Sequence, residues 1–259
     1  MAAVTDLEPL LRFWRALDDL FERVEERWWG AVVSDSRYPR IQEANYARVE
    51  TRQAVTLEEV EGELLPALGR SGSQRAHVVV FHPEDQTGLL AAASTRGERL
   101  AWDLVMEHAG PAPAPDPRTA EVRSFDAAFW RAWRDSARLF DIADERDLEQ
   151  LQAIERDLLI PAGRRWFVVP GEGRPVAFAA LLMLEGVGYL DHVVTVPGAR
   201  RRGHAAALTD RLLAEAAAAG AERTYLLAEP DGVAARMYGR RGFEPVTQLA
   251  SWISPIRRR

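Results

Sequence analysis

Apolar residues between Leu7 and Trp29 recur at Leu10, Phe13, Leu17, Leu20, Phe21, Val24 and Trp28, the three-and-four spacing of a helix with one buried face. A second helix is predicted over 56–68, where Thr56 and Glu59 have capping-box spacing and Gly69 supplies a stop. Residues 31–34, 46–51, 77–81 and 100–106 read as strands, so the first half is mixed α/β. Helical periodicity returns over 126–140 and 144–159, with Asp144 as an N-cap. Strands then follow at 166–169, 176–184 and 189–196. The turns between them are short and contain glycine, which predicts an antiparallel meander. A helix over 203–219, a strand over 223–228, a helix over 233–240 and a strand over 243–252 complete the order.

Between the halves lies Gly110-Pro111-Ala112-Pro113-Ala114-Pro115-Asp116-Pro117, where alternating proline blocks both helix and central strand. As polyproline-like backbone it spans about 20 Å. The expected organisation is a first domain at 1–110, a linker at 111–118 and a second domain at 119–259, with a long surface loop inside one domain as the plainer alternative. With 47% hydrophobic and 28% charged residues, the chain has enough apolar material to fold. The net charge of -6 argues against nucleic acid as a partner, so any anion site must be local. The absence of cysteine excludes disulfides, a thiolate zinc site and a cysteinyl acyl-enzyme. No metal is expected. No apolar run is long enough for a membrane span, and residues 1–8 lack a basic leader, which gives a cytoplasmic expectation. The oligomeric state stays open.

The strand at 189–196 runs through Pro197-Gly198 into Arg200-Arg201-Arg202-Gly203-His204-Ala205 and directly into a helix. The first N–H groups of a helix lack internal partners and carry about half a positive charge. Amides from Arg202 to Ala206 can therefore converge on phosphate oxygens, with Gly203 and Ala205 small enough for close approach. His204 contributes through its backbone.

Val194-Thr195-Val196-Pro197 followed by Arg200-x-x-Gly203-x-Ala205 resembles the signature of the GNAT N-acetyltransferase family. Asp231-Gly-Val-Ala234-Ala-Arg-Met-Tyr238-Gly-Arg-Arg-Gly242-Phe243 resembles the family's later segment, with Asp231 where asparagine is usual. Aspartate lacks the amide donor, so Asp231 is read as a helix N-cap instead. The resemblance implies a mixed, mostly antiparallel sheet flanked by helices, with acetyl-CoA as co-substrate and a small-molecule or peptide amine as acceptor. It also implies that Tyr238 protonates the departing thiolate, and a phenol with a pKa near 10 is still a donor at neutral pH. Plain aromatic packing is the other reading of Tyr238. Backbone groups of Val194 and Val196 are implied to meet the pantetheine amides, their side chains being ordinary core.

Direct attack by an amine on the thioester requires a route for its proton. Asp191 and His192 are the available groups. Neighbours on a strand face opposite sides, so at most one should point into the cleft: Asp191 with the parity of Thr195, or His192 with that of Val194 and Val196. Asp191 is taken as the catalytic candidate, with a water chain as the other route the resemblance allows; otherwise both residues simply face solvent or cap a network. The function expected is an acyltransferase without a covalent acyl-enzyme; a non-catalytic CoA-binding sensor is the competing reading. The element order from Tyr46 to Met106 resembles the latter half of the same fold, but Arg52-Gln53-Ala54-Val55 lacks the cradle pattern. The first domain is thus expected to be a smaller, degenerate GNAT-like copy. The tryptophans at 28, 29, 130 and 133 are read as core or domain interface, and Arg257-Arg258-Arg259 as a solvated tail.

Overall fold

The computed structural model describes residues 6–140, 142 and 144–256, so the expected tail at 257–259 lies outside the described residues. In chain order the elements begin with helix α1 (Glu8–Asp18), strands β1 (Arg23–Arg27), β2 (Gly30–Ser34) and β3 (Tyr46–Val49), and helix α2 (Leu57–Ser71). Strand β4 (Arg75–Val80), helix α3 (Thr87–Thr95) and strand β5 (Ala101–His108) follow. After the proline-rich stretch come β6 (Ala120–Glu121), α4 (Ala127–Ala137), α5 (Glu145–Ile154), β7 (Arg165–Val169), β8 (Ala177–Leu184) and β9 (Val187–Thr195). The last elements are α6 (His204–Ala218), β10 (Arg223–Ala228), α7 (Val233–Gly239) and β11 (Phe243–Pro255).

The chain divides into two compact units, one of residues 14–105 and 247–259, the other of 1–13 and 106–246. The divisions fall within α1, β5 and β11, and the one in β5 lies a few residues before the proline-rich stretch.

In the earlier unit the strand order is β1-β2-β3-β4-β11-β5. Strands β1, β2 and β3 are antiparallel, β3 and β4 are parallel, and β11 runs antiparallel to β4. Helix α2 makes the crossover from β3 to β4, and its Val60, Leu64 and Leu68 pack with Val78, Val80 and Trp252. The predicted helix over 7–29 ends instead at Asp18, and Val24 belongs to the β1–β2 hairpin. The sequence 23–27 is Arg-Val-Glu-Glu-Arg, whose spacing copies a helical period while its backbone pairs with β2. Of the tryptophans in this turn, Trp29 is buried and Trp28 is 57% exposed. Helix α2 also continues through Gly69, since its terminating residue is Gly72 at φ 78, the left-handed cap that glycine adopts without strain.

The later unit contains the predicted meander β7-β8-β9, extended by β6 on one side and by β10, parallel to β9, on the other. Helix α6 joins β9 to β10. Asp126 and Asp144 cap α4 and α5 with their side chains. Phe129, Trp133, Ala137 and Leu148 of these helices pack on Trp166, Val168, Phe178, Ala180 and Val194 of the sheet. Trp130 lies against this cluster, so Trp130 and Trp133 are core. No helix among the described residues is long and apolar enough to cross a membrane.

Candidate active site

Strand β9 is irregular at its centre. Phe178 pairs with Val194 but Ala180 pairs with Asp191, so three steps along β9 match two along β8. The extra residue is accommodated at His192, a non-glycine residue at φ 52. Such a bulge resets side-chain alternation. Phe178 and Ala180 share a face, and their partners Val194 and Asp191 therefore share it too. The strict parity expected from the sequence is thus overturned. Asp191 lies on the α4–α5 side of the sheet, and so does His192, whose ring contacts Trp133, Phe140 and Trp166 at centroid distances of 6.1, 5.0 and 4.9 Å.

Asp191 is the accessible end of a charge chain whose other members, Arg164 and Glu155, are buried. Arg164 reaches Asp191 Oδ2 at 2.5 Å with one nitrogen and Glu155 Oε1 at 3.2 Å with the other. Glu155 opens a π-helical turn (Glu155–Leu159) that directly follows α5, and its Oε2 accepts from Trp166 Nε1 at 3.1 Å. Neither Arg164 nor Glu155 stood out in the sequence, because nothing in their spacing signals the pairing. The Asp191 side chain keeps 47% of its surface accessible while its carboxylate accepts from Arg164 and from the His192 N–H. Burial alone would raise its carboxyl; Arg164 and the His192 N–H outweigh burial and hold it below the ordinary value. Burial pushes the His192 imidazole down to about 4, so it is neutral at physiological pH. Ser136 Oγ donates to Trp133 O at 2.7 Å, and its lone pair faces His192 Nε2 at 2.9 Å. Its one proton being spent, Ser136 accepts from an Nε2–H tautomer.

Tyr238 sits on α7, is 5% exposed and packs edge-on against Phe243 at 5.7 Å. Burial, then the charge of Asp191, push its phenol well up, so it keeps its proton throughout the neutral range. Asp231 does not cap α7. The N-cap is Gly232, without a side-chain bond, and Asp231 stands at φ 58 in the preceding turn, where its carbonyl accepts from Arg236. A tight turn, with Gly232 N–H on Glu229 O at 3.0 Å, takes Asp231 out of the capping position.

At its other end β9 leads into the arginine turn. β9 and β10 pair only from Val187↔Arg223 to Tyr189↔Tyr225, so the edge of β9 beyond Tyr189 has no β10 partner in the ladder. Val196 donates its N–H to Val176 O at 3.0 Å, on the β8 side. By alternation Thr195, not Val196, turns its backbone to the open edge, and Val194 shares the orientation of Val196. Thr195 O accepts from Arg200 Nε at 3.2 Å, and Thr195 Oγ1 is buried without a hydrogen-bond partner. Pro197–Ala199 form one 3-10 turn, Arg201 takes φ 63 and Gly203 φ 79, and α6 begins at His204. Gly203 offers no side-chain cap, so the first amides of α6, at His204, Ala205 and Ala206, are left for an external acceptor. With Arg200, Arg201 and Arg202 around it, this turn has the donor chemistry a diphosphate requires. A side chain at Gly203 would need a left-handed backbone and would point at Arg118 Nη1, 3.9 Å away.

The start of α2 in the earlier unit is closed. Thr56 Oγ1 accepts from Glu59 N–H, and the Glu59 carboxylate accepts from Thr56 N–H at 2.8 Å. Gln86, 1% exposed, takes Val55 N–H at 3.1 Å and donates to Thr51 O and Gln53 O at 2.8 and 2.7 Å. Backbone groups that face a ligand in an open turn are here bonded within the protein. His82, Glu84 and Asp85 of this unit bring ligand-type atoms within 4.8 Å of one another, but Arg52 already pairs with both carboxylates.

Residues 124–243 match the sequence model of the Acetyltransferase (GNAT) family. Among solved structures, the chain is similar to a GCN5-related N-acetyltransferase from Kribbella flavida at 20% identity, over 95% of this chain and 96% of that one, with a TM-score of 0.56. A functionally unknown conserved protein from Staphylococcus epidermidis is similar over 91% of this chain and 94% of its own, at 12% identity and a TM-score of 0.72. A GCN5-related N-acetyltransferase from Sphaerobacter thermophilus is similar at 21% identity over 76% of this chain and 66% of that chain, with a TM-score of 0.50. At these identities the likeness is one of fold. Comparison with curated proteins gave no match.

Proposed function

We propose, from the match of residues 124–243 to the GNAT acetyltransferase family, that this chain transfers acetyl from acetyl-CoA directly to a primary amine of a small molecule or peptide. The observation that carries the reading is the uncapped start of α6 behind the arginine turn, reached along the unpaired edge of β9 that begins beyond Tyr189. Arg200, Arg201 and Arg202, with the amides of Gly203, His204, Ala205 and Ala206, hold the donor's diphosphate. The Thr195 backbone takes the pantetheine contact that the family resemblance had implied for Val194 and Val196; the Val194 side chain is in the core.

The centre of β9 and helix α7 supply the chemistry. Asp191, anionic and accessible, attracts the acceptor as an ammonium ion. Its lowered pKa makes it a weak proton acceptor, as is His192, so the ammonium proton leaves through water and the neutral amine attacks. A bond forms from nitrogen to the acetyl carbon, the carbon–sulfur bond breaks, the acylated nitrogen gives its surplus proton to water, and Tyr238 gives its proton to the departing sulfur. Solvent returns the proton to the Tyr238 phenolate between turnovers, after the thiol product has left. The weakness of both bases is also the one observation favouring a CoA-binding protein without turnover.

Thiol release from acetyl-CoA, measured with a broad panel of primary amines, separates the two readings. Turnover with at least one amine is expected, with Tyr238→Phe lowering kcat by about 10²-fold or more at nearly unchanged KM for acetyl-CoA. Tight CoA binding with no amine consumed would favour the sensor, and an unchanged kcat in Tyr238→Phe would remove the assigned acid. The earlier unit is read as a degenerate copy of the same fold, in which a protein-capped helix start replaces the donor site.

A further inference from the structure

The proline-rich stretch ends in a small rigid turn. Arg118 N–H and Nε both donate to Asp116 Oδ1, at 2.9 and 3.0 Å, and Nη2 donates to Asp116 Oδ2 at 2.7 Å. Thr119 closes the turn through Oγ1 and N–H to Asp116 O, at 2.6 and 3.1 Å. With Nε and Nη2 engaged on the carboxylate, the remaining nitrogen, Nη1, is the one directed outward. It points at the arginine turn, donating to Arg202 O at 3.4 Å. A Cβ built on Gly203 would lie 3.9 and 4.0 Å from the two terminal nitrogens, and no other heavy atom comes as near. The Arg118 side chain is half exposed, so its position is set by this fork and not by packing.

We propose that Arg118 is a wall of the donor site, with Nη1 contacting the diphosphate of CoA, and that Asp116 is the positioning residue that aims it. The inference rests on the CoA reading above. Three features converge on it: the bidentate fork fixes the guanidinium plane, Nη1 has a second N–H to give, and the backbone it reaches, Arg202 O, directly precedes the glycine at which the α6 amides begin. The 3.4 Å bond to Arg202 O is long for a hydrogen bond, so exchanging it for a charge-assisted bond to phosphate costs little. The prolines at 111, 113, 115 and 117 then have a second use besides spacing. They limit the chain that delivers Asp116 and Arg118, so less conformational freedom is lost when the donor binds.

The test is calorimetric titration of the full chain with CoA, 3′-dephospho-CoA and acetyl-pantetheine, for wild type, Arg118→Met and Asp116→Asn. Arg118→Met should weaken CoA about ten-fold, and 3′-dephospho-CoA by the same factor, because the diphosphate is common to both. Acetyl-pantetheine, which has no phosphate, should be unaffected. Asp116→Asn should weaken CoA by a smaller factor, since the charge stays but its aim is lost. Equal CoA affinity in wild type and Arg118→Met overturns the proposal. A loss that disappears with 3′-dephospho-CoA also overturns it, by moving the contact to the 3′-phosphate. If the wild type binds no CoA, the donor reading itself falls, whereas binding that is indifferent to Arg118 defeats only the present inference.

Discussion

Replacing Arg164 with methionine keeps the length of the side chain and removes its charge. In the native chain the guanidinium is 8% exposed and bonds Glu155, 6% exposed, at 3.2 Å. Without it Glu155 is a buried carboxylate whose remaining side-chain partner is Trp166 Nε1. Stranding one member of a buried pair costs about 3–5 kcal/mol. The Asp191 arm adds little, because that carboxylate is 47% accessible and solvent screens it. A loss of about 3 kcal/mol, or a fall in Tm of roughly 10 °C, is expected. The pH dependence carries the diagnosis. Burial raises Glu155 and Arg164 opposes that, so in the variant its folded pKa rises further above the unfolded value. The folded state then binds the extra proton, and the variant gains stability as pH falls. Scanning calorimetry at pH 8 and pH 5.5 should show the deficit against wild type shrinking at the lower pH, and adding Glu155→Gln should recover most of it. A deficit below about 1 kcal/mol, or one indifferent to pH, would refute the reasoning.

His77 and His192 are both held neutral by burial, with pKa values near 4. Folded chains therefore bind fewer protons than unfolded ones below pH 6.5, and stability falls between about pH 6.5 and pH 4. Each histidine contributes on the order of 3 kcal/mol to that loss, so urea titrations of His192→Gln should show a visibly shallower dependence. In the earlier unit, Glu59→Ala should cost about 1 kcal/mol through the broken capping box. It should create no second CoA site, because Gln86 still holds the preceding loop; equilibrium dialysis of the variant reads this directly.

The meander, the crossover helix and the arginine turn were legible because each has a local cause: glycine turns, a sustained period, a small residue where a helix begins. The bulge was not. His192 carries a left-handed backbone that no glycine announces, and it alone decides that Asp191 and His192 share a face. Arg164 and Glu155 meet across a π turn whose extra residue leaves no trace in the hydrophobic pattern. Arg118 meets Arg202 across 84 positions, which no periodic signal spans. In the first residues a charged stretch with helical spacing became a hairpin, since pairing with β2 outweighed a marginal helical preference. Asp231 failed as a cap for a similar reason: the turn before α7 assigned the capping position to its neighbour, Gly232.

The central claim is that this chain holds one acyl-CoA at the start of α6. Isothermal titration of the full chain with acetyl-CoA tests it most directly, alongside Gly203→Glu, which places bulk and negative charge at the residue with φ 79 that opens the helix. One molecule bound per chain, with binding abolished in Gly203→Glu while the thermal transition of the variant persists, is the predicted result. Two sites per chain, or undiminished binding by Gly203→Glu, would contradict it.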